Sequence, residues 1–179
     1  NSFYSLQLIP NRMLPYIIPN SFDYDLEAFE EQLDRFIEMF EQAIAEQKMD
    51  EVVKRLEKLT EEQKAITEEL KTDPTANMQE LASRERRQEE QFKGLEDAME
   101  AAAIAMEELS DEAAQQMAEL KESELTQNTK SEINSARKDM QNDDKEASKE
   151  SAHSAKEKLE EMLAKAKEIQ EDIPVVLLA

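Results

Sequence analysis

The residues with the clearest potential for chemistry are Glu150 and His153, whose Glu-x-x-His spacing puts two metal-ligand types on one face of a helix. A di-iron carboxylate bundle needs this motif on two helices, and the chain has only one histidine. That count also excludes a two-histidine zinc protease motif, and it leaves Ser151 and Ser154 without a triad. We therefore interpret His153 as an ordinary surface histidine.

The segment from Asp139 to Glu150 has the outline of a calcium-binding loop. Asp139 and Asp143 occupy two of its early ligand positions and Glu150 the twelfth, but Asp144 stands at the sixth position, where the sharp turn requires glycine. This pattern leaves one alternative function open, a metal- or ligand-responsive regulatory helical module that uses Asp139, Asp143 and Glu150.

Other kinds of catalytic or binding chemistry lack the residues they need. The chain has no cysteine, and its one glycine, Gly94, cannot form a glycine-rich phosphate loop. Arg84, Arg86 and Arg87 form a small basic cluster, but the acids around it favour local pairing over phosphate binding. We predict that the protein is not an enzyme and carries no catalytic residue, cofactor or metal.

Charge restricts the partners. Charged residues make up 36% of the chain and the net charge is −21, so nucleic acid and anionic membrane surfaces are repelled at long range. No apolar run is long enough for a membrane-spanning helix, which predicts no direct membrane insertion. A charged partner should be basic.

The elements that position these residues are predicted to be helices. A single glycine, five prolines and an abundance of Glu, Ala, Lys and Leu favour an all-α fold, an elongated antiparallel helical bundle or coiled coil. Its central seam follows a heptad pattern interrupted by Glu85 and Gln88, polar residues that can set helix register or leave a solvated gap. The seam consists of Met78, Leu81, Glu85, Gln88, Phe92, Leu95, Met99, Ala102, Met106 and Leu109.

Breaks between helices are predicted from capping residues and proline. Pro74 ends one helix, and Asn77 with Glu80 forms a capping box for the next. Asp50 favours a turn at residues 47–50, and residues 141–144 offer another turn. The predicted helices cover about 25–47, 51–72, 77–109, 111–123 and 130–172 within a bundle of residues 25–173.

The first of these helices carries a stripe rich in phenylalanine, and we expect it to be the best buried. The stripe consists of Leu26, Phe29, Leu33, Phe36, Ile37, Phe40 and Ile44.

Residues 1–24 form an extended apolar junction segment, because its prolines oppose a regular helix. Residues 174–179 form an apolar tail. The apolar side chains of the junction segment either pack against the end of the bundle or contact a neighbouring domain or protein. The predicted partner-contact residues are Phe3, Tyr4, Leu8, Ile9, Tyr16, Ile17 and Ile18.

Two stretches, 46–63 and 136–163, resemble the Glu/Gln-rich helical region of an uncharacterised family of large, membrane-anchored bacterial envelope proteins. The first reads EQKMDEVVKRLEKLTEEQ, and the second contains the turn DDKEAS. The resemblance covers about residues 25–172 and implies an excised periplasmic or cell-envelope piece, with a cytoplasmic location as the alternative. Asn rather than Met as the first residue fits such a fragment.

The sequence therefore predicts a non-catalytic structural or scaffold module whose amphipathic helices mediate protein–protein contact. Its partner is another protein or a neighbouring domain of a longer chain, and the uncovered seams also allow a homo-oligomer.

Overall fold

A computed structural model describes residues 26–173, which contain five α-helices and no β-strand. The predicted junction segment, its seven partner-contact residues and the apolar tail lie outside these residues. The chain divides into two compact units, residues 1–36 and 37–179, and only the first turns of α1 are described in the first unit. The helices are α1 Leu26–Thr72, α2 Met78–Met106, α3 Asp111–Glu122, α4 Glu124–Gln141 and α5 Lys145–Glu171.

The second unit is an antiparallel helical bundle, as predicted. Cross-helix ion pairs and hydrogen bonds place α2 between α1 and α4, and α5 between α4 and α1. The paired residue numbers run in opposite directions between α2 and α4, between α4 and α5, and between α1 and α5. The short helix α3 precedes α4 along α2 and also contacts α5. The cross-helix pairs are Glu62–Arg84, Glu69–Arg84, Glu89–Arg137, Glu96–Lys130, Glu100–Lys121, Glu132–Lys158 and Glu57–Lys167.

The predicted turn at residues 47–50 is wrong, because α1 continues through it. No proline or glycine interrupts this stretch, and Met49 is fully buried in the core. Glu51 accepts hydrogen bonds from Arg55 one turn later at 2.7 and 3.1 Å, a pair that favours continuous helix. The acids that we read as a helix start therefore act as helix-surface residues.

The start of α2 follows the predicted capping chemistry. Asn77 is the N-cap, and its Oδ1 accepts hydrogen bonds from the backbone N–H groups of Gln79 at 3.1 Å and Glu80 at 3.3 Å. The loop before it contains Pro74, so the predicted break there is confirmed. The helix ends at Met106, three residues earlier than predicted.

The C-terminal half differs from the prediction in one place and agrees with it in another. Residues 124–129, predicted to lie outside the helices, form the first turns of α4, while Ser123 alone separates α4 from α3. The turn predicted at residues 141–144 is confirmed at residues 142–144, where it divides the predicted helical range 130–172 into two helices and Asp143 has a φ of 59°. Asp144 then caps α5 by accepting from the Ala147 N–H at 3.1 Å.

The expectation that residues 26–44 form the best-buried helix is also wrong. The seven large apolar side chains of this stretch are between 46% and 69% exposed, whereas apolar burial in α1 begins at Ala45. An apolar stripe on a helix is stable when it is buried against another element, but the periodicity of the stripe does not identify that element.

Candidate functional site

The apolar face of α1 is the first candidate site, and we use this name for seven large side chains with exposed fractions between 46% and 69%. In the first unit it comprises Leu26, Phe29, Leu33 and Phe36, and in the second unit Ile37, Phe40 and Ile44. Contiguous exposed apolar patches on soluble proteins commonly mark sites of interaction.

The acids around this face give the N-terminal part of α1 a strong negative charge. Residues 26–46 contain seven acidic residues and one arginine, so their net charge is −7 + 1 = −6. Most of these charged side chains are exposed. They are Glu27, Glu30, Glu31, Asp34, Arg35, Glu38, Glu41 and Glu46.

The second candidate is a polar layer of Gln63, Glu85 and Gln88 inside the second unit, all of them at most 1% exposed. Gln63 Nε2 donates to Glu85 Oε1 at 2.8 Å and to the Ala152 carbonyl at 3.3 Å. Gln88 Nε2 donates to Gln63 Oε1 at 2.6 Å. These bonds join α1, α2 and α5 through side chains that are shielded from water.

The polar layer separates two clusters of apolar side chains. Leu59 and Phe92 lie in the larger cluster, while Ile66 and Leu81 lie in the smaller one. Along both α1 and α2, the polar residues therefore interrupt an otherwise apolar core. A polar layer of this kind lowers stability and favours one register of the helices.

Glu85 is the most perturbed acid of the layer. Burial raises its pKa to about 8, and the negative charges of Glu89 and Glu62 add to the rise, while the Gln63 hydrogen bond and the positive charge of Arg84 oppose it. Its second carboxyl oxygen, Oε2, is buried without a hydrogen-bond partner. This environment favours the neutral carboxylic acid.

Within the arginine cluster, Arg84 is paired with acids, but its partners lie on α1 and are not the sequence neighbours that we predicted. Its guanidinium donates to Glu62 and Glu69, both at 2.7 Å. A surface groove of about 370 Å³ lies beside it, and Arg87 and Lys58 line this groove. Because acids of the same groove counter these cations, it has no clear preference for an anion.

The sequence-based metal candidates are distributed over α4, α5 and the turn between them, which contains Asp143. Asp139 lies in α4 and accepts from Ser151 Oγ at 2.7 Å, whereas Glu150 lies exposed in α5. His153 is half-exposed and has Nε2 3.4 Å from Glu157. Within residues 26–173, no group of three or more His, Asp or Glu side chains is arranged to hold a metal ion.

The sequence pattern identified part of the polar layer and missed the rest. Glu85 and Gln88 were recognised as polar residues in an apolar seam, but their partner Gln63 was not identified. The signal was present, because Gln63 stands where the α1 periodicity calls for an apolar residue.

In the helices of residues 26–173, no segment combines the length and the apolar character needed to cross a bilayer. No protein-family model matches the sequence, and comparisons with curated proteins and with solved structures also give no match.

Proposed function

We propose that the protein is a non-catalytic scaffold module that binds another protein through the apolar face of α1. The occupant is an amphipathic helix with basic residues along its flanks, carried by another protein or by a neighbouring domain of a longer chain. The observation that carries this proposal is the exposure of seven large apolar side chains on one helix.

The size of the face supports a specific contact. A phenylalanine side chain offers about 150–250 Å² for burial, so seven large side chains that are about half-exposed present on the order of 700 Å². A standard protein–protein interface buries about 800 Å² on each partner. Burying the face against one long helix would therefore approach an ordinary interface, in the helix-in-groove mode of recognition.

Charge selects the chemistry of the partner. The net charge of −6 on residues 26–46 attracts a basic helix and repels an acidic one. A second copy of the chain carries the same −6 on this stretch and −21 overall, so self-association through the face meets repulsion. A helix flanked by lysine or arginine avoids that cost.

The test uses the full chain and a synthetic three-heptad peptide with leucine at a and d and lysine at e and g. Fluorescence anisotropy should show saturable binding that weakens as salt increases. A matched peptide with glutamate at e and g should not bind. Equal binding of the two peptides, or binding of neither, would overturn the proposal.

The binding site is tested with a triple variant, Phe29→Ser, Phe36→Ser and Phe40→Ser. Losing three aromatic anchors should weaken peptide binding by roughly a hundredfold or more. The control is Ile104→Ser, which removes a 60%-exposed apolar side chain from α2 and should leave affinity unchanged. Equal effects of the two changes would contradict docking on α1.

Two other occupants are distinguished by further measurements on the full chain. Sedimentation that reveals a dimer, together with its loss in the triple variant, would assign the face to a second copy. Tighter peptide binding by an Ile17→Ser, Ile18→Ser variant would assign the face to the N-terminal segment. Either result would replace the proposed partner.

A further inference from the structure

The polar layer has two hydrogen-bonding arrangements, which differ in the orientation of its two amides. In the first, Gln63 donates to Glu85 Oε1 and Gln88 donates to Gln63 Oε1. This arrangement suits an ionised Glu85, because both carboxyl oxygens act only as acceptors. It leaves Glu85 Oε2 buried without a partner.

Turning the Gln88 amide by 180° gives it different partners. Its Nε2 then donates to the Leu59 carbonyl at 3.2 Å, and its Oε1 accepts from the Gln63 backbone N–H at 3.1 Å. In the first arrangement the Gln88 oxygen faces the Leu59 carbonyl instead, so two acceptors oppose each other. The turned amide therefore has the better backbone contacts.

The turned Gln88 places its Oε1 2.6 Å from Gln63 Oε1. Two carbonyl oxygens at this distance repel, so Gln63 must turn as well and present its Nε2 to Gln88. Its Oε1 then faces the Glu85 carboxyl, which must supply a proton. The turned Gln63 places its Oε1 3.3 Å from the Ala152 carbonyl oxygen, which loses Gln63 as a donor. Thr67 Oγ1 lies 3.3 Å from that carbonyl and 2.8 Å from the Gln63 backbone carbonyl.

We propose that Glu85 is held as a neutral acid in the folded protein by an amide relay from Glu85 through Gln63 and Gln88 to the Leu59 carbonyl. Loss of the Glu85 proton reverses both amides, which breaks the bond from Gln88 on α2 to the Leu59 carbonyl on α1 and leaves a negative charge buried in the bundle. The layer is thus a pH-responsive element of the bundle, independent of the proposed binding face.

The charges around Glu85 oppose its ionisation. Glu62 on α1 and Glu89 on α2 repel a negative charge at this position. Arg84 attracts it, but its guanidinium is engaged with Glu62 and Glu69. From α5, Ala152 contributes an uncharged carbonyl, and on α4 Arg137 is paired with Glu89 at 3.0 Å.

The raised pKa of Glu85 fixes the direction in which stability changes with pH. The pKa of Glu85 rises from an ordinary 4.5 to about 8 in the folded state. The contribution of Glu85 to the free energy of unfolding is therefore fully present below pH 4.5, declines as the pH rises, and is lost above pH 8. Each pH unit within that window changes the unfolding equilibrium constant by up to about tenfold.

The first experiment measures urea unfolding of the wild type and Glu85→Gln from pH 5 to pH 8. Glutamine mimics the neutral acid and does not titrate, so the ratio of the two unfolding constants should change by roughly a hundredfold or more across this range. The control, Glu61→Gln, removes an exposed acid from α1 and should keep the wild-type dependence. A ratio that stays constant would overturn the proposal.

A second experiment does not depend on how well the variant folds. Carbon-13 NMR of the wild-type carboxyl groups should show one signal titrating near pH 8, with the Gln63 and Gln88 side-chain amide signals shifting at the same midpoint. If every carboxyl titrates below about pH 6, the neutral acid is excluded. If the carboxyl titrates near 8 without any amide shift, the relay is excluded.

Discussion

The two parts of α1 contrast with each other in a way that the sequence does not suggest. Residues 26–44 carry the larger apolar side chains and leave them exposed, whereas residues 45–70 include polar side chains and bury them. Phe40 is 69% exposed, while Gln63 is fully buried. Burial along this helix therefore follows which neighbours are present, and hydrophobicity alone does not determine it.

The contrast shows that the hydrophobicity of a side chain and its burial are separate properties. An apolar stripe lowers the free energy of a helix only when another element covers it. A buried polar group is tolerated when its neighbours satisfy its hydrogen bonds, as Gln63 and Gln88 do for each other. An exposed apolar face and a buried, hydrogen-bonded polar residue can therefore occur in one helix.

The largest expected difference between the two parts is in the loss of stability when one leucine in each part is replaced by alanine. Leu59→Ala removes a fully buried side chain and should lower the free energy of unfolding by about 2–5 kcal/mol. Leu33→Ala, at a site 49% exposed, should change it by less than about 0.5 kcal/mol. Urea unfolding monitored by circular dichroism measures both, and similar losses would remove the contrast.

A smaller loss is expected from the polar layer itself. Gln63→Ala leaves Glu85 and Gln88 without their shared partner, and a buried polar group left unsatisfied costs about 1–3 kcal/mol. Thermal unfolding at pH 6, well below the pKa of about 8 to which burial raises Glu85, measures this cost. An unchanged Tm would show that water satisfies the layer.

Arg84 tests whether the edge of the layer matters as much as its centre. Arg84→Gln removes two ion pairs with carboxylates that are about 40% exposed, so screening by solvent keeps the expected loss at about 1 kcal/mol. Because exposed partners are sensitive to salt, this loss should shrink at 1 M NaCl. A loss as large as that of Gln63→Ala would show that the ion pairs of Arg84 stabilise the bundle as much as the hydrogen bonds of Gln63 do.

The smallest effect should come from the surface of α1 just after the apolar face. Lys54→Ala removes an exposed pair with Asp50, one helical turn apart and 3.6 Å between the charged atoms. Such pairs contribute about 0.3–0.5 kcal/mol. Thermal unfolding at low and high salt measures this change, and a loss above about 1 kcal/mol would show a role in tertiary packing.

Local chemistry made much of the fold predictable. Heptad spacing identified the helices, and Asn77 marked the start of α2, where its side chain accepts hydrogen bonds from backbone N–H groups. Asp50 was misread because an acid serves equally well at a helix start and on a helix surface.

The candidate sites were less predictable. Glu85 and Gln88 stand out as polar residues in a seam, but their pairing with Gln63 joins residues 22 and 25 positions apart. The apolar face of α1 was found as a stripe and assigned the wrong environment. In both cases the missing information was the identity of the spatial neighbour.

The sequence by itself determined the class of fold, the helix periodicity, the negative charge and several helix boundaries, because these depend on backbone propensity and on neighbours within one or two turns. Tertiary structure alone decided which apolar side chains stay exposed and whether Glu85 meets a cation, an amide or water. Burial and pKa depend on groups brought together from distant positions, and one-dimensional spacing does not specify those groups.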